Sequence, residues 1–194
     1  MHLGQSMFAL AALALVGYLT LNTNRTIVDQ NDRLNRANFG ITAVALAQSL
    51  TQEAMSKYFD ARNETQITGE LHDPSELTPV NALGHGPTER YRDGTNDFND
   101  FDDYNNLFLV YKSTNPEDTA STPGSDWEKA VPNFDSKYFV TARVQYIDIS
   151  RLSDTNEAND TSATPTWHKR LRVTVINPTS KDTLVTSVIM SYWN

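Results

Sequence analysis

The sequence predicts an α+β protein: a long N-terminal α-helix (the stem of a lollipop) packed on a roughly four-stranded antiparallel β-sheet head. The first observation concerns the N-terminal part of the chain, where a long helix is possible. The first Asp, Glu, Lys or Arg in the sequence is Arg25, and the first Pro is Pro74. The second is a set of downstream segments in which apolar and polar residues alternate, as they do in strands with one buried face. A helix followed by such strands is typical of the α+β class.

The composition limits the classes of function that fit this chain. Its 194 residues include 24 acidic and 16 basic side chains, which gives a net charge of −8. An acidic surface repels nucleic acids, so no nucleic-acid partner is predicted. Because the chain has no Cys, disulfides, Cys-ligated zinc and thiol catalysis are excluded.

The chain opens with an almost purely apolar stretch. Met7–Leu21 would form about 22 Å of helix, which is shorter than a ~30 Å hydrocarbon core, and Met1–Ser6 would add the missing length. Small residues are frequent in this stretch: Ala9, Ala11, Ala12, Ala14 and Gly17. They favour close packing between helices, although a single lipid-facing anchor stays an alternative. A cleaved signal peptide fits less well, because the stretch lacks a basic start and a following A-x-A site.

Beyond the apolar stretch, the sequence predicts that the helix continues in amphipathic form. Ile27, Leu34 and Ile41 recur at seven-residue intervals, which is typical of a helix with one apolar face. The first ~60 residues would then form one helix of about 90 Å. The apolar face widens near Ala43–Leu50, where we expect the head to cover the helix.

These patterns divide the chain into three segments. Residues 1–24 form the apolar helix of a membrane or filament core, residues 25–60 the amphipathic helix that enters the head, and residues 61–194 the β head. Gly17 and Asn22–Asn24 are the places where the helix is expected to loosen, because Gly and Asn are weak helix formers.

The head is predicted to combine four strands with three long exposed loops. The predicted strands are NLFLVYKS, KYFVTARVQYIDIS, HKRLRVTVIN and TLVTSVIMSYW. The predicted loops are 61–106, 113–136 and 150–167. A short turn at Asn177–Thr183 makes the last two strands an antiparallel hairpin. Because one sheet cannot bury its apolar face alone, we expect the helix to cover it.

An acidic cluster is the main candidate for a metal site. Five carboxylates lie close together with no Lys or Arg among them: Asp93, Asp97, Asp100, Asp102 and Asp103. Such a density of oxygen ligands could hold Ca²⁺, but the spacing does not fit an EF-hand. The favoured alternative is a solvated acidic loop whose Asp side chains cap turns, so no metal and no cofactor are predicted.

The remaining motifs do not indicate catalysis. The four His residues are scattered, and neither H-x-x-x-H nor G-x-S-x-G occurs, so no enzyme activity is predicted. The N-x-[ST] pattern of N-glycosylation occurs at Asn24, Asn63 and Asn159, as chance allows in a chain rich in Asn and Thr.

Three stretches resemble members of one family. MHLGQSMFALAALALVGYL is similar to the mature N-terminus of a processed pilin, and FNDFDDYNN resembles an Asp-rich stretch that precedes the sheet in many bacterial minor pilins. KRLRVTVIN with TLVTSVIMSYW resembles their final hairpin. With the order of elements, these stretches make the whole chain resemble the type IV pilin and pseudopilin superfamily.

The resemblance implies a structural subunit that polymerises through its N-terminal helix into a helical, extracellular filament that serves cell adhesion. It implies three partners: copies of the same chain, an inner-membrane assembly machinery and a prepilin peptidase. The helix would lie in the cytoplasmic membrane only before assembly, and the chain would be the processed form, with its leader removed and its N-terminus methylated. The implied filament-core residues are Met1, Gln5, Phe8, Ala9, Ala12, Leu13, Val16, Gly17 and Leu21.

Gln5 departs from the family pattern, which has a Glu here that meets the N-terminal amine of a neighbouring subunit. Gln accepts a hydrogen bond from an amine but cannot neutralise its charge. Because tip and minor subunits sometimes lack this Glu, a minor or tip pilin or a pseudopilin is an alternative function. A membrane-anchored binding domain that never polymerises is another. The Cys pair that closes the C-terminal loop of many pilins is also missing.

Overall fold

A computed structural model describes residues 3–62, 71–92, 94, 97–112, 115–118, 138–152, 159–177 and 181–192, with the backbone alone at 3, 5, 112 and 115–118. Residue contacts divide the chain into two compact units, Met1–Ile41 and Thr42–Asn194. The predicted α+β class is confirmed, because a long N-terminal helix packs against an antiparallel sheet.

Helix α1 spans Leu3–Met55, so the prediction of one long N-terminal helix is confirmed. The helix ends five residues before the predicted position 60. The helix is continuous through Gly17 and Asn22–Asn24, so the expectation that it loosens there is wrong. Three Thr hydroxyls in this region donate to main-chain carbonyls four residues earlier, at 2.8–3.0 Å: Thr20, Thr23 and Thr26. Their polar groups are thus satisfied inside the helix and do not compete with it.

The last part of α1 carries a buried stripe that lies within the second unit. This buried stripe consists of Ala43, Ala47, Leu50 and Ala54. The spacing of four, three and four residues keeps its members on one helix face, and the small Ala side chains let the backbone approach its cover closely. The stripe confirms that the head covers the helix near Ala43–Leu50, whereas Val44 stays 41% exposed.

Within the described residues, five strands form one antiparallel sheet, in the order β2-β1-β3-β4-β5. The strands are β1 Leu107–Lys112, β2 Asn115–Asp118, β3 Tyr138–Tyr146, β4 His168–Ile176 and β5 Thr183–Ser191. Strands β4 and β5 form the predicted hairpin, with His168 opposite Ser191 and Ile176 opposite Thr183. The four predicted strands are therefore all present, and they are neighbours in the sheet.

Strand β2 lies within the segment that the sequence places in an exposed loop, 113–136. It has four residues, includes Pro116 and pairs only with β1, at the edge of the sheet. A strand this short has no readable alternation, and Pro is tolerated in strands mainly at edges. Where the structure describes the first predicted loop, it has short 3₁₀ turns at Pro74–Glu76, Val80–Ala82 and Asp102–Tyr104, and a further turn, Ile149–Arg151, begins one residue before the loop 150–167.

The alternation predicted for β3 and β4 is confirmed on the buried face of the sheet. The buried residues of this face are Val140, Ala142, Val144 and Tyr146 in β3, and Leu171, Val173 and Val175 in β4. One difference is that both Lys169 and Arg170, at the start of β4, are buried. The loops therefore cover both faces of the sheet at this end.

Candidate functional site

The N-terminal part of α1 is exposed all around. Each side chain from residue 6 to residue 38 is exposed, and nine of the large hydrophobic ones lie between Met7 and Leu21. These nine are Met7, Phe8, Leu10, Leu13, Leu15, Val16, Tyr18, Leu19 and Leu21. A continuous apolar surface of this size is unfavourable in water and marks a site that lipid or protein covers.

Most of the residues implied to form a filament core lie on this surface. The exposed ones are Phe8, Ala9, Ala12, Leu13, Val16, Gly17 and Leu21. Phe8 is 79% exposed, and a Cβ added at Gly17 would meet no atom within 4 Å. Met1 and the side chain of Gln5 lie outside the described part of the chain. The described residues are thus free to contact other molecules from any side of the helix.

A second apolar feature continues this surface along α1. It is an exposed stripe formed by Ile27, Leu34 and Ile41, which are 49%, 61% and 72% exposed. At about 100° per residue, these positions fall on the side of the helix opposite to the buried stripe. The heptad pattern in the sequence therefore belongs to an exposed face of the helix.

Among the described residues, one helix is long and apolar enough to cross a membrane: the N-terminal one. Its most apolar window has no buried residue. By length and composition, α1 is thus compatible with membrane anchoring.

The acidic cluster is built into the head and is not solvated. Asp100, Asp102 and Asp103 are 2–3% exposed, so the expectation of a solvated acidic loop is wrong for them. Asp97 is exposed and accepts a hydrogen bond from the Gly94 N–H at 2.7 Å, whereas Asp93 lies outside the described residues. No group of three His, Cys, Asp or Glu residues in the described part of the chain is placed to hold a metal ion.

The carboxylates of this cluster cap a turn, as the sequence predicts. Asp103 accepts from the N–H groups of Asn99 and Asp100, at 2.8 and 3.1 Å. Asp100 accepts from the N–H groups of Asp102 and Asp103, at 2.6 and 3.2 Å. These bonds fold the chain into the 3₁₀ turn Asp102–Tyr104 and satisfy buried donors.

Lys169 is fully buried at the centre of the acidic cluster, and sequence reasoning did not find it. Its Nζ donates to Asp60 Oδ2 at 2.8 Å, to the Phe59 carbonyl at 2.8 Å and to Asp102 Oδ1. The ammonium also lies 4.4 Å from the centre of the Phe59 ring and 5.1 Å from that of Tyr146. A buried ammonium is costly unless it is paired, and here two carboxylates pair it.

Asp60, just after α1, is the best-satisfied carboxylate of this site. Besides Lys169, it accepts from the N–H groups of Arg62 and Thr78, at 3.2 and 3.0 Å. It also accepts from the Thr78 hydroxyl at 2.9 Å, and the Tyr146 hydroxyl, which donates to the Thr78 carbonyl at 2.8 Å, lies 3.3 Å from Asp60 Oδ2. Burial alone would raise the pKa of Asp60, but Lys169 and the N–H donors outweigh burial and lower it.

The three buried carboxyls of the acidic cluster have raised pKa values. Burial, together with the neighbouring Asp102 charge, raises the pKa of Asp100 to about 7. Burial and the Asp100 charge raise the pKa of Asp103 to about 7. Burial raises the pKa of Asp102 to about 6, although Lys169 opposes the rise. These groups are therefore held in the neutral form more readily than exposed carboxyls are.

Glu53 ties the last turn of α1 to the loop that precedes the sheet. Its Oε1 accepts from the Tyr104 hydroxyl at 3.0 Å, and its Oε2 accepts from the Tyr91 hydroxyl at 3.3 Å. Arg92 forms an ion pair with the same carboxylate, and its Nε lies 3.1 Å from Oε2. Burial and the Glu53 carboxylate raise the pKa of Tyr104 above its ordinary range.

Two of the three N-x-[ST] asparagines can be placed. Asn24 is exposed on α1 and Asn159 is exposed in a turn, while Asn63 lies outside the described residues. Exposure is what a glycan acceptor needs, and it is also the ordinary state of Asn.

Comparison with known proteins does not assign the chain to a family. No family model matches it, and no curated protein or solved structure is significantly similar to it. Only two features of the fold therefore bear on the class of protein: a long apolar N-terminal helix and an antiparallel sheet. This arrangement is consistent with a pilin fold.

Proposed function

We propose that this chain is the structural subunit of a type IV pilus-like filament and polymerises through helix α1. The observation that carries the proposal is the exposure of the apolar N-terminal part of α1 on all its sides. A helix of this kind, followed by an antiparallel sheet, is also what the resemblance of the sequence implies. Catalysis has no part in this function.

The exposed apolar surface of α1 is large, and its burial against lipid or protein would be strongly favourable. Burying one large apolar side chain contributes about 1.5–3 kcal/mol. The nine exposed side chains between Met7 and Leu21 would together contribute on the order of 15–25 kcal/mol if they were covered completely. Both a bilayer and a bundle of like helices could supply this stabilisation, so the hydrophobic effect alone does not choose between them.

The small residues favour the bundle. Ala9, Ala12 and Gly17 gain little in lipid, but between helices they allow close approach and add dispersion contacts. The exposed stripe also favours a bundle of helices, because it extends the apolar surface beyond the length that a bilayer core could cover. Repeated heterologous contacts between such helices, if they do not close into a ring, build a helical filament.

In this proposal the helix has two successive environments. It lies in the cytoplasmic membrane before assembly, where a prepilin peptidase and the assembly machinery act on the chain. It then moves into the filament interior, and the polar loops of the head form the outer, adhesive surface. The free-energy change for moving the apolar side chains out of the bilayer is small, because the filament interior is equally apolar.

The test is to shear surface material from cells that express the chain, image it by negative-stain electron microscopy and identify its protein by mass spectrometry. Thin fibres composed mainly of this chain are the expected result. Fibres in which the chain is a trace component would instead support a minor or tip subunit, the alternative that Gln5 favours. Monomers that only detergent extracts would support a membrane-anchored binding domain and contradict polymerisation.

A further inference from the structure

The site around Lys169 has an unequal number of charges. Lys169 and Asp60 are 0% exposed, and Asp102 is 2% exposed. If both carboxyls were ionised, one ammonium would face two negative charges in a region that water does not reach. An uncompensated buried charge is expensive, so this arrangement favours a proton on one of the two carboxyls.

The hydrogen bonds indicate which of the two carboxyls takes up a proton more readily. Asp60 accepts from Lys169 and from three further donors, so its charge is well compensated. Asp102 differs, because in the described part of the chain its Oδ2 is buried and has no hydrogen-bond partner. Its raised pKa agrees with this assignment. Asp102 is therefore the carboxyl whose neutral acid form is reached by mild acidification, with a pKa of about 6, and it contacts a lysine beside the Asp60 carboxylate.

We propose that Lys169 and Asp102 condense into an intramolecular amide bond, with Asp60 as the base. Nζ of Lys169 contacts both carboxyls at once, which places nucleophile, electrophile and base together. A neutral carboxylic acid is attacked by an amine far more readily than a carboxylate is, because no negative charge repels the attacking electron pair.

The reaction balances without any other reactant. The Asp60 carboxylate takes one proton from the Lys169 ammonium, and the free amine attacks the carboxyl carbon of Asp102. In the tetrahedral intermediate, a second nitrogen proton passes through Asp60 to the Asp102 hydroxyl, which leaves as water. The products are the Lys169–Asp102 amide, one water molecule and Asp60 in its protonated form.

Two properties of the site favour this reaction. Holding the reacting groups in contact replaces a bimolecular step by an intramolecular one, with an effective concentration far above that in solution. Burial in aromatic surroundings excludes the water that would hydrolyse the product. In a chain without Cys, the bond would fasten β4 covalently to the turn Asp102–Tyr104.

The test is the mass of the whole chain, extracted with detergent and then fully denatured. An amide lowers the mass by one water molecule relative to the sequence, whereas a permanent ion pair leaves it unchanged. We expect most of the folded protein to show this loss. After proteolysis, tandem mass spectrometry should find Lys169 and Asp102 in one branched peptide.

Variants give the matched controls. Lys169→Arg and Asp102→Ala should have the full mass of their sequences, while Lys181→Arg, which changes an exposed lysine, should keep the loss. Because an unfolded variant would also have the full mass, the branched peptide of the wild-type chain decides the result.

Two results would overturn the proposal. One is a wild-type chain with its full mass and a Lys169 amine that acylating reagents modify after denaturation. The other is a loss of water that maps elsewhere, for example to a cyclic imide at Asp93-Gly94. Neither result bears on filament assembly, which does not depend on this bond.

Discussion

At the scale of single residues, Glu53 is the main polar link between α1 and the loops of the head. Both of its carboxylate oxygens accept hydrogen bonds, from Tyr104 on one side and from Tyr91 and Arg92 on the other. Tyr91 and Tyr104 are buried. A buried donor that loses its acceptor costs about 1–3 kcal/mol, so the loss of this carboxylate should lower the free energy of unfolding of the head.

The corresponding variant is Glu53→Ala. We expect it to lower the free energy of unfolding of the head by about 2 kcal/mol, because it removes the acceptor of buried Tyr hydroxyls. Glu53→Gln should cost less, since its amide oxygen still accepts one bond. Urea unfolding followed by intrinsic fluorescence measures both. The control is Gln52→Ala at an exposed neighbour. Equal effects of Glu53→Ala and Gln52→Ala would contradict this role.

The buried carboxyls Asp100 and Asp103 should make the head more stable in mild acid. Their folded-state pKa values are raised to about 7, so between about pH 4 and 7 the folded head holds protons that the unfolded chain has released. Stability from these groups is thus full at acidic pH and falls as the pH rises through 7. We expect the melting temperature to be about 3 °C or more higher at pH 5 than at pH 8.

Substitutions separate this effect from the general acidity of the chain. Asp103→Asn removes a titrating group while keeping an oxygen acceptor, and it should reduce the difference between the two pH values. Asp97→Asn removes an exposed carboxyl from the same loop and should leave the difference unchanged. A head that melts at a higher temperature at pH 8 than at pH 5 would contradict the assignment.

The acidic cluster also illustrates how much of the site could be predicted from sequence. That Asp side chains cap turns here follows from local chain chemistry and is confirmed for Asp100 and Asp103. The pairing of the adjacent Asp102 with Lys169 could not be predicted in the same way, because Lys169 lies more than sixty residues away and is brought in by tertiary packing. A signal did exist: Lys169 is in phase with the buried positions Leu171 and Val173, and a charge there requires a partner.

At the scale of elements, α1 presents different apolar faces to different surroundings. Small residues of the buried stripe face the head, and the exposed stripe lies on the other side. The heptad period alone indicates an apolar face, but it cannot say what covers that face. The helix and the alternating strands could be predicted because their periods differ clearly. Strand β2 could not, because four residues at an edge carry too short a pattern.

The element-scale prediction concerns Ala12→Glu in the apolar part of α1. A charge at the centre of an apolar helix bundle or bilayer costs about 3 kcal/mol or more, so the yield of sheared filaments should fall at least about tenfold. Quantitative immunoblotting of the sheared fraction measures this yield. The head should stay folded, because Ala12 is exposed.

The matched control is Asn31→Glu, which adds the same charge at an exposed position of the same helix outside the apolar stretch. We expect its filament yield to be near that of the wild-type chain. A normal yield of filaments from Ala12→Glu would contradict a filament core built from this segment.

At the scale of the whole molecule, the β-sheet and the exposed apolar segment of α1 lie in different compact units. The unit Thr42–Asn194 contains the sheet and the buried clusters. Removal of residues 1–24 should therefore give a soluble, monomeric protein whose head is folded. Size-exclusion chromatography with light scattering checks this expectation. Persistent oligomers would show that head–head contacts drive association.

The most direct test of the central claim is a cryo-electron microscopy reconstruction of filaments sheared from cells that express this chain. We predict density for Met7–Leu21 in the filament interior, in van der Waals contact with the same segment of neighbouring subunits. Density that surrounds this segment with lipid or detergent around single copies of the chain would contradict the claim.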